Sequence, residues 1–251
     1  MLLTPLEQFQ IISLLPCRLL CLDFSITNLF LIAIISFLGF NFLITLVSSE
    51  TKTFYIIPNS WQVLVETIYE VISQLLFDNI NARGENYFPF ISVLFTFILF
   101  SNLIGLIPYS FTVTSHLVIT FSLSISLFIG VNIIGFNIHS SKMISIFLPS
   151  NTSFGLALLL VPIEFVSYIF KPISLGVRLF ANLMAGHTLL KVIVGFAWSM
   201  LLLDELLFCM HVIPLIVLIV LMGLELAVAV IQAYVFTILT CIYLNDSVNL
   251  H

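Results

Sequence analysis

Charge is what this sequence has least of. Only 8% of its 251 residues are Asp, Glu, Lys or Arg, against 61% hydrophobic, where a soluble domain carries about a quarter charged. That scarcity excludes an ordinary soluble enzyme and leaves the polytopic membrane class, in line with a mean hydropathy of +1.24. No block of basic residues occurs and the net charge of -5 is dispersed, so nucleic acid is not an expected partner. Cysteine is sparse too. Cys17, Cys21, Cys209 and Cys241 form neither a CxxC nor a Cys/His cluster at metal spacing, which argues against a disulfide framework and a zinc site. No metal or cofactor is expected. The first residues, MLLTPLEQFQII, lack a cationic segment, and the first charge is Glu7, so a cleavable secretory signal is not expected. The absence of an internal repeat argues against a solute transporter.

What is there is a series of long apolar runs. Residues 27 to 47 form an uncharged stretch of about the 20 residues that a spanning helix needs. Residues 60 to 77 differ in kind: Val65, Ile68, Ile72, Leu75 and Leu76 gather on one side, while Glu66, Glu70 and Gln74 supply polarity. Such a helix lies on the membrane or against a partner. Residues 78 to 87 read as an aqueous loop carrying Asp78, Arg83 and Glu85. Two further runs, 88 to 107 and 113 to 135, are joined by a short uncharged connection and predict an antiparallel spanning hairpin. His116 opens the second of them, where it reads as an interfacial histidine or as a member of a proton pathway.

The last hundred residues hold just two elements, 153 to 203 and 206 to 244, separated by Asp204 and Glu205. At 1.5 Å per residue the second is about 57 Å long against a hydrocarbon core of about 30 Å. Each is either an unbroken, steeply tilted helix or a pair of spans broken at Pro172/Gly176 and near Gly223. The expected fold is therefore an all-α integral membrane protein, a single membrane domain over 1 to 251 with a spanning helix, a membrane-surface amphipathic helix, a spanning hairpin and two long tilted helices. Lys52, Arg83 and Lys142 collect on one face and Arg18 on the other, so the first face is expected inside. With five crossings the N-terminus lies outside and Asp246 inside.

Within these apolar runs sit a few ionisable residues. A charge at the bilayer centre costs about 2.5 to over 10 kcal/mol, so each is a functional candidate by default. Arg178 is the sharpest, because a guanidinium does not lose its proton. Glu164, Lys171 and Arg178 are spaced by seven, nearly two turns, with Asn182 four residues beyond; Glu225 and Gln232 repeat the seven. If the two long helices are antiparallel neighbours, residues whose numbers add to one total share a depth. Arg178 with Gln232 and Glu164 with Asp246 add to the same total, and His187 with Glu225 to two more. Arg178 then lies about 21 Å from the Glu164 level and about 13 Å from the His187 level. Acids and imidazoles in that layout suit two proton relays reached from opposite sides, with a fixed cation keeping them apart. Its facing residue, Gln232, is neutral, so the balancing carboxylate is expected from another polypeptide. Glu164 also reads as a cap or dipole partner of a helix start. Lys171 and Lys191 read as lipid contacts or as snorkelling cations at a channel mouth. The rival reading is a proton- or quinone-handling subunit of a redox-driven pump, which the unequal depths of His187 and His211 disfavour.

SLGVRLFANLMAGH at 174 to 187, GLELAVAVIQAYVFTIL at 223 to 239, the ending YLNDSVNLH and TPLEQF at 4 to 9 together resemble the subunit a family of F-type ATP synthases in its mitochondrial form. The resemblance covers essentially the whole chain. It implies a proton-conducting stator beside a rotating c-ring, with peripheral-stalk and other membrane-sector subunits, the lipid bilayer and a second synthase as further contacts. The implied location is the mitochondrial inner membrane, crossed several times. By the same resemblance Arg178 faces the ring carboxylates. His187 and Glu225 match the half-channel open to the intermembrane space, Glu164 and Asp246 the one open to the matrix, and Asn182 and Gln232 polar residues beside the arginine. Lys171 lies outside the family pattern.

Overall fold

The computed structural model describes residues 7–16, 18–19, 22–23, 25–49, 59–107, 110–140, 154–201 and 212–249. Lys52, Lys142, Asp204, Glu205 and His211, on which parts of the orientation and hairpin arguments rest, lie outside them. The described chain is almost wholly helical: α1 Asn28–Ser49, α2 Ser60–Ile80, α3 Phe88–Gly105, α4 Leu117–His139, α5 Phe154–Leu201 and α6 Val212–Val248. Four of the helical stretches are long and apolar enough to cross a membrane, Gly84–Gly105, Leu117–His139, Ala157–Leu201 and Val212–Val248. Helices suit such a sequence because lipid offers no partner to backbone N–H and C=O groups, so each span must satisfy its own.

Several local features depart from the sequence reading. Before α1, where no element was expected, two short antiparallel ladders nest one inside the other: β1 Ser13–Leu15 pairs with β4 Ile26–Thr27, and β2 Arg18–Leu19 with β3 Leu22–Asp23. Asn28 ties this segment to the start of α1, donating to the Gln10 carbonyl and accepting from Ile12 N–H. Residues 78 to 87 are helical instead of a loop, since α2 runs on to Ile80 and a 3-10 helix, Asn81–Tyr87, leads into α3. The second arm of the hairpin starts at Leu117 because Val113–Ser115 make a separate 3-10 turn. His116 caps that turn with its ring stacked on Phe111 at 4.9 Å.

Both long helices are continuous. α5 passes through Pro162 and Pro172 without ending. Each proline removes one backbone bond and crowds one carbonyl; a full break in hydrocarbon would leave several groups unsatisfied at once. At 48 residues α5 is about 72 Å long by the standard rise, well over twice the hydrocarbon thickness.

The chain divides into two compact units. The first comprises Met1–Val65, Thr96–His116 and Leu179–Ala233, the second Glu66–Phe95, Leu117–Arg178 and Tyr234–His251. α5 changes unit after Arg178 and α6 after Ala233. In the second unit Ile72, Leu75 and Leu76 of α2 are buried, and Tyr69 stacks on Phe88 at 5.8 Å. Gly176 of α5 lies so close to α4 that a Cβ there would sit 2.7 Å from Ser124 Oγ and 3.2 Å from Phe121 Cα. Small residues at helix interfaces allow this approach, which takes the place of a hydrophobic driving force absent in lipid.

Candidate functional site

Burial along the long helices separates two kinds of position. On α5 Pro172, Leu175, Gly176, Leu179, Leu183 and His187 are buried, a stripe at three- and four-residue spacing. Arg178 stands off that stripe, on the exposed side with Ser174, Ala181, Asn182 and Ala185. Among the described residues Arg178 makes no ion pair. On α6 the buried stripe runs through Glu225, Ala229, Gln232, Ala233, Phe236 and Thr240.

In the first unit the stripes bring His187 and Glu225 inward, each with 8% of its surface exposed. Both Glu225 oxygens and His187 Nε2 are buried with no hydrogen-bond partner among the described residues. Groups of this kind are normally paired with protein or water, so their arrangement suits a wet site able to exchange protons. The approach of Glu225 to α5 depends on Gly186. A Cβ at that glycine would lie 2.7 Å from Glu225 Oε1 and 3.2 Å from its Cδ. The sequence reading passed over Gly186, although it directly precedes His187.

Farther along the same unit, Asn182 Nδ2 donates to Gln232 Oε1 at 2.9 Å. The equal-total register set Gln232 opposite Arg178; its partner is one turn farther on. Asn102 of α3, fully buried, donates to the Ala229 carbonyl at 3.2 Å, a contact worth about 0.6 to 2 kcal/mol in a membrane. It was legible only as one amide in an apolar run. Two N-terminal residues also enter the site. Phe9, in the helical turn Glu7–Phe9, meets the His187 ring edge-on at 6.2 Å, and Lys191 lies in the field of the Glu7 carboxylate. Lys191 is thus engaged within the chain rather than a lipid contact alone.

The second unit holds the other cluster. Lys171 Nζ lies 3.2 Å from Asp246 Oδ2. The ammonium also stands 5.6 Å from the centre of the Tyr168 ring and 5.1 Å from that of Tyr243. Tyr168 donates its hydroxyl to Asn132 Oδ1 of α4. Asp246 therefore meets Lys171, where the register argument set Glu164, and the lipid-contact reading of Lys171 gives way to an ion pair. Glu164 is only half-buried. The Lys171 and Asp246 side chains are 34% and 45% exposed on this chain. His139 closes the end of the unit, its Nε2 donating to the Val248 carbonyl at 2.9 Å.

Comparison with known proteins decides what kind of chain carries these clusters. The profile of the ATP synthase A chain family matches residues 28–245. This chain belongs to the ATP synthase A chain family. It is 51% identical over 250 residues to ATP synthase subunit a of Chondrus crispus, covering 99% of this chain and 97% of the relative. It is 53% identical over 248 residues to that of Pylaiella littoralis, with 99% of each covered, and 48% identical over 251 residues to that of Marchantia polymorpha, again with 99% of each covered. Family membership makes the chain the proton-conducting stator subunit of the F0 membrane sector, working with the c-ring and other synthase subunits. The redox-pump reading is not favoured by any of these likenesses.

Proposed function

We propose that the chain conducts protons through two offset half-channels that Arg178 keeps apart, and that it does so in the mitochondrial inner membrane. His187 and Glu225 line the half-channel on the intermembrane-space side. Glu164 and Asp246 belong to the one on the matrix side, and Asn182 and Gln232 give polar support beside the arginine. The carrying observation is Arg178 itself: exposed on its own chain, in an apolar helix, with no ion pair among the described residues. An unpaired guanidinium in hydrocarbon costs at least about 2.5 kcal/mol and has no neutral form to retreat to. A carboxylate from outside the chain removes that cost, and the c-ring is the neighbour that the family supplies.

The chemistry follows from opposed environments. A ring carboxylic acid arriving opposite Arg178 loses its proton to the guanidinium field, and one leaving for lipid is neutral because desolvation penalises its anion. Protons therefore load from one half-channel and unload into the other only if the ring turns between them. Each proton contributes about 2.3 kcal/mol per 100 mV of membrane potential. Peripheral-stalk subunits and a second synthase are the remaining partners of the exposed apolar surface. Arg178→Ala is expected to abolish ATP synthesis driven by a proton gradient while the soluble catalytic sector still hydrolyses ATP. Undiminished proton-driven synthesis in that variant would remove Arg178 from this role.

A further inference from the structure

Lys171 is the one cation of the long helices held in a built cluster of its own. Three helices contribute to it: α4 through Asn132, α5 through Tyr168 and Lys171, and α6 through Tyr243 and Asp246. Without the ammonium, the remaining groups are a carboxylate flanked by two aromatic faces. That combination attracts small cations, by charge at the oxygens and by the quadrupole of the rings. Both members of the pair are partly exposed on this chain, and on the half-channel reading that side meets water, so cations reach them.

A proton pathway ending in such groups has a selectivity problem. At neutral pH and a physiological ionic strength near 0.15 M, monovalent cations outnumber protons about a million-fold. A metal site at the carboxylate with a dissociation constant below about 0.15 M would then be mostly filled by potassium or sodium at that ionic strength, and a bound metal cation opposes protonation. Tuning of the ring carboxylates offers no protection here, because the competition occurs at the mouth.

We propose that Lys171 is the ion-selectivity residue of the half-channel ending at Asp246, its tethered ammonium occupying the cation site formed by Asp246, Tyr168 and Tyr243. The inference rests on reading Asp246 as a half-channel residue. A metal cation entering must displace a charge that cannot diffuse away. A proton needs no such displacement, because it moves by exchange of hydrogen bonds along water and carboxyl oxygens. Fixed charges at pore constrictions exclude ions of like sign in this manner. Lysine suits the task better than arginine: a point charge engages one carboxylate oxygen, whereas the guanidinium fork takes both. Asn132 supports the arrangement by holding the Tyr168 ring through its hydroxyl.

The test uses the complete synthase in proteoliposomes, with ATP synthesis driven by an imposed gradient. The solution bathing the soluble catalytic sector contains potassium, sodium or N-methylglucamine chloride at equal ionic strength. The native enzyme is expected to run at one rate in all three, and native synthesis inhibited competitively by potassium or sodium would overturn the proposal. Lys171→Gln is expected to slow several-fold in potassium and sodium relative to N-methylglucamine, in a saturable manner. Equal rates in all three salts, whether high or low, would overturn it, since a merely structural role predicts a loss that ignores the cation. Lys171→Arg is expected to stay insensitive to the cation; sensitivity there would also overturn the proposal. Failure of the half-channel reading itself would show separately, as proton-driven synthesis that survives Arg178→Ala.

Discussion

Glu225 is a carboxylate with neither oxygen bonded among the described residues, eight parts in a hundred exposed, and set against a glycine. A group in that condition suits the proposed exchange with protons better than a structural role, since an unsatisfied buried acceptor only subtracts from stability. Glu225→Gln keeps the shape and removes the titration. Proton uptake measured in reconstituted vesicles is expected to fall by about 100-fold, the usual scale for deleting one positioned acid or base. An unchanged rate at every pH would take Glu225 out of the pathway. Gly186→Ala tests the same point from the other helix. Its new Cβ would occupy space 2.7 Å from the present position of Oε1, so the carboxylate must swing away. A several-fold loss of proton flux at unchanged assembly is expected, and full activity would show that the carboxylate position is not critical. Neither the glycine nor the Phe9 contact could be read beforehand. Hydropathy treats glycine and phenylalanine as filler, and proximity between residues 9 and 187 is a property of the folded chain alone.

At the scale of the element, the helices follow from composition while their registers do not. Apolar runs in a medium without water have helix as their only open-chain solution, which made the spans readable from length alone. The choice between broken and unbroken long helices was not readable, because Pro172 and Gly176 are as compatible with a break as with a close approach. The structure uses Gly176 for approach to α4. Gly176→Val would meet Thr120 O and Phe121 Cα, backbone atoms that cannot rotate aside. A loss of about 1 to 3 kcal/mol is expected for such overpacking, seen as a lower melting temperature of the purified complex; an unchanged one would mean that the helices separate freely. Equal-depth arithmetic likewise placed the right residues on facing helices, set Glu225 at the Gly186–His187 level where it lies, and paired Gln232 and Asp246 a turn or two out. Glu164, Lys171 and Arg178 share one heptad stripe, so periodicity could not say which meets Asp246. Opposite charge and the reach of lysine decide it.

On the scale of the whole molecule, Asn182 meets Gln232 and Lys171 meets Asp246 across the long helices, while Arg178 is exposed with no ion pair among the described residues. An isolated membrane protein gains nothing from that arrangement; under the proposed function a carboxylate of the c-ring answers it. The sequence made this legible because a single arginine in an apolar helix admits few explanations, whereas the partner proposed to answer it belongs to another polypeptide. The central claim is that Arg178 prevents protons from passing directly between the half-channels. The most direct measurement is passive proton conductance of the membrane sector with its soluble part removed and its ring cross-linked to this chain. In the native protein the locked ring is expected to stop conductance, and in Arg178→Ala conductance is expected to persist with the ring locked. Conductance that stops equally in both would contradict the account.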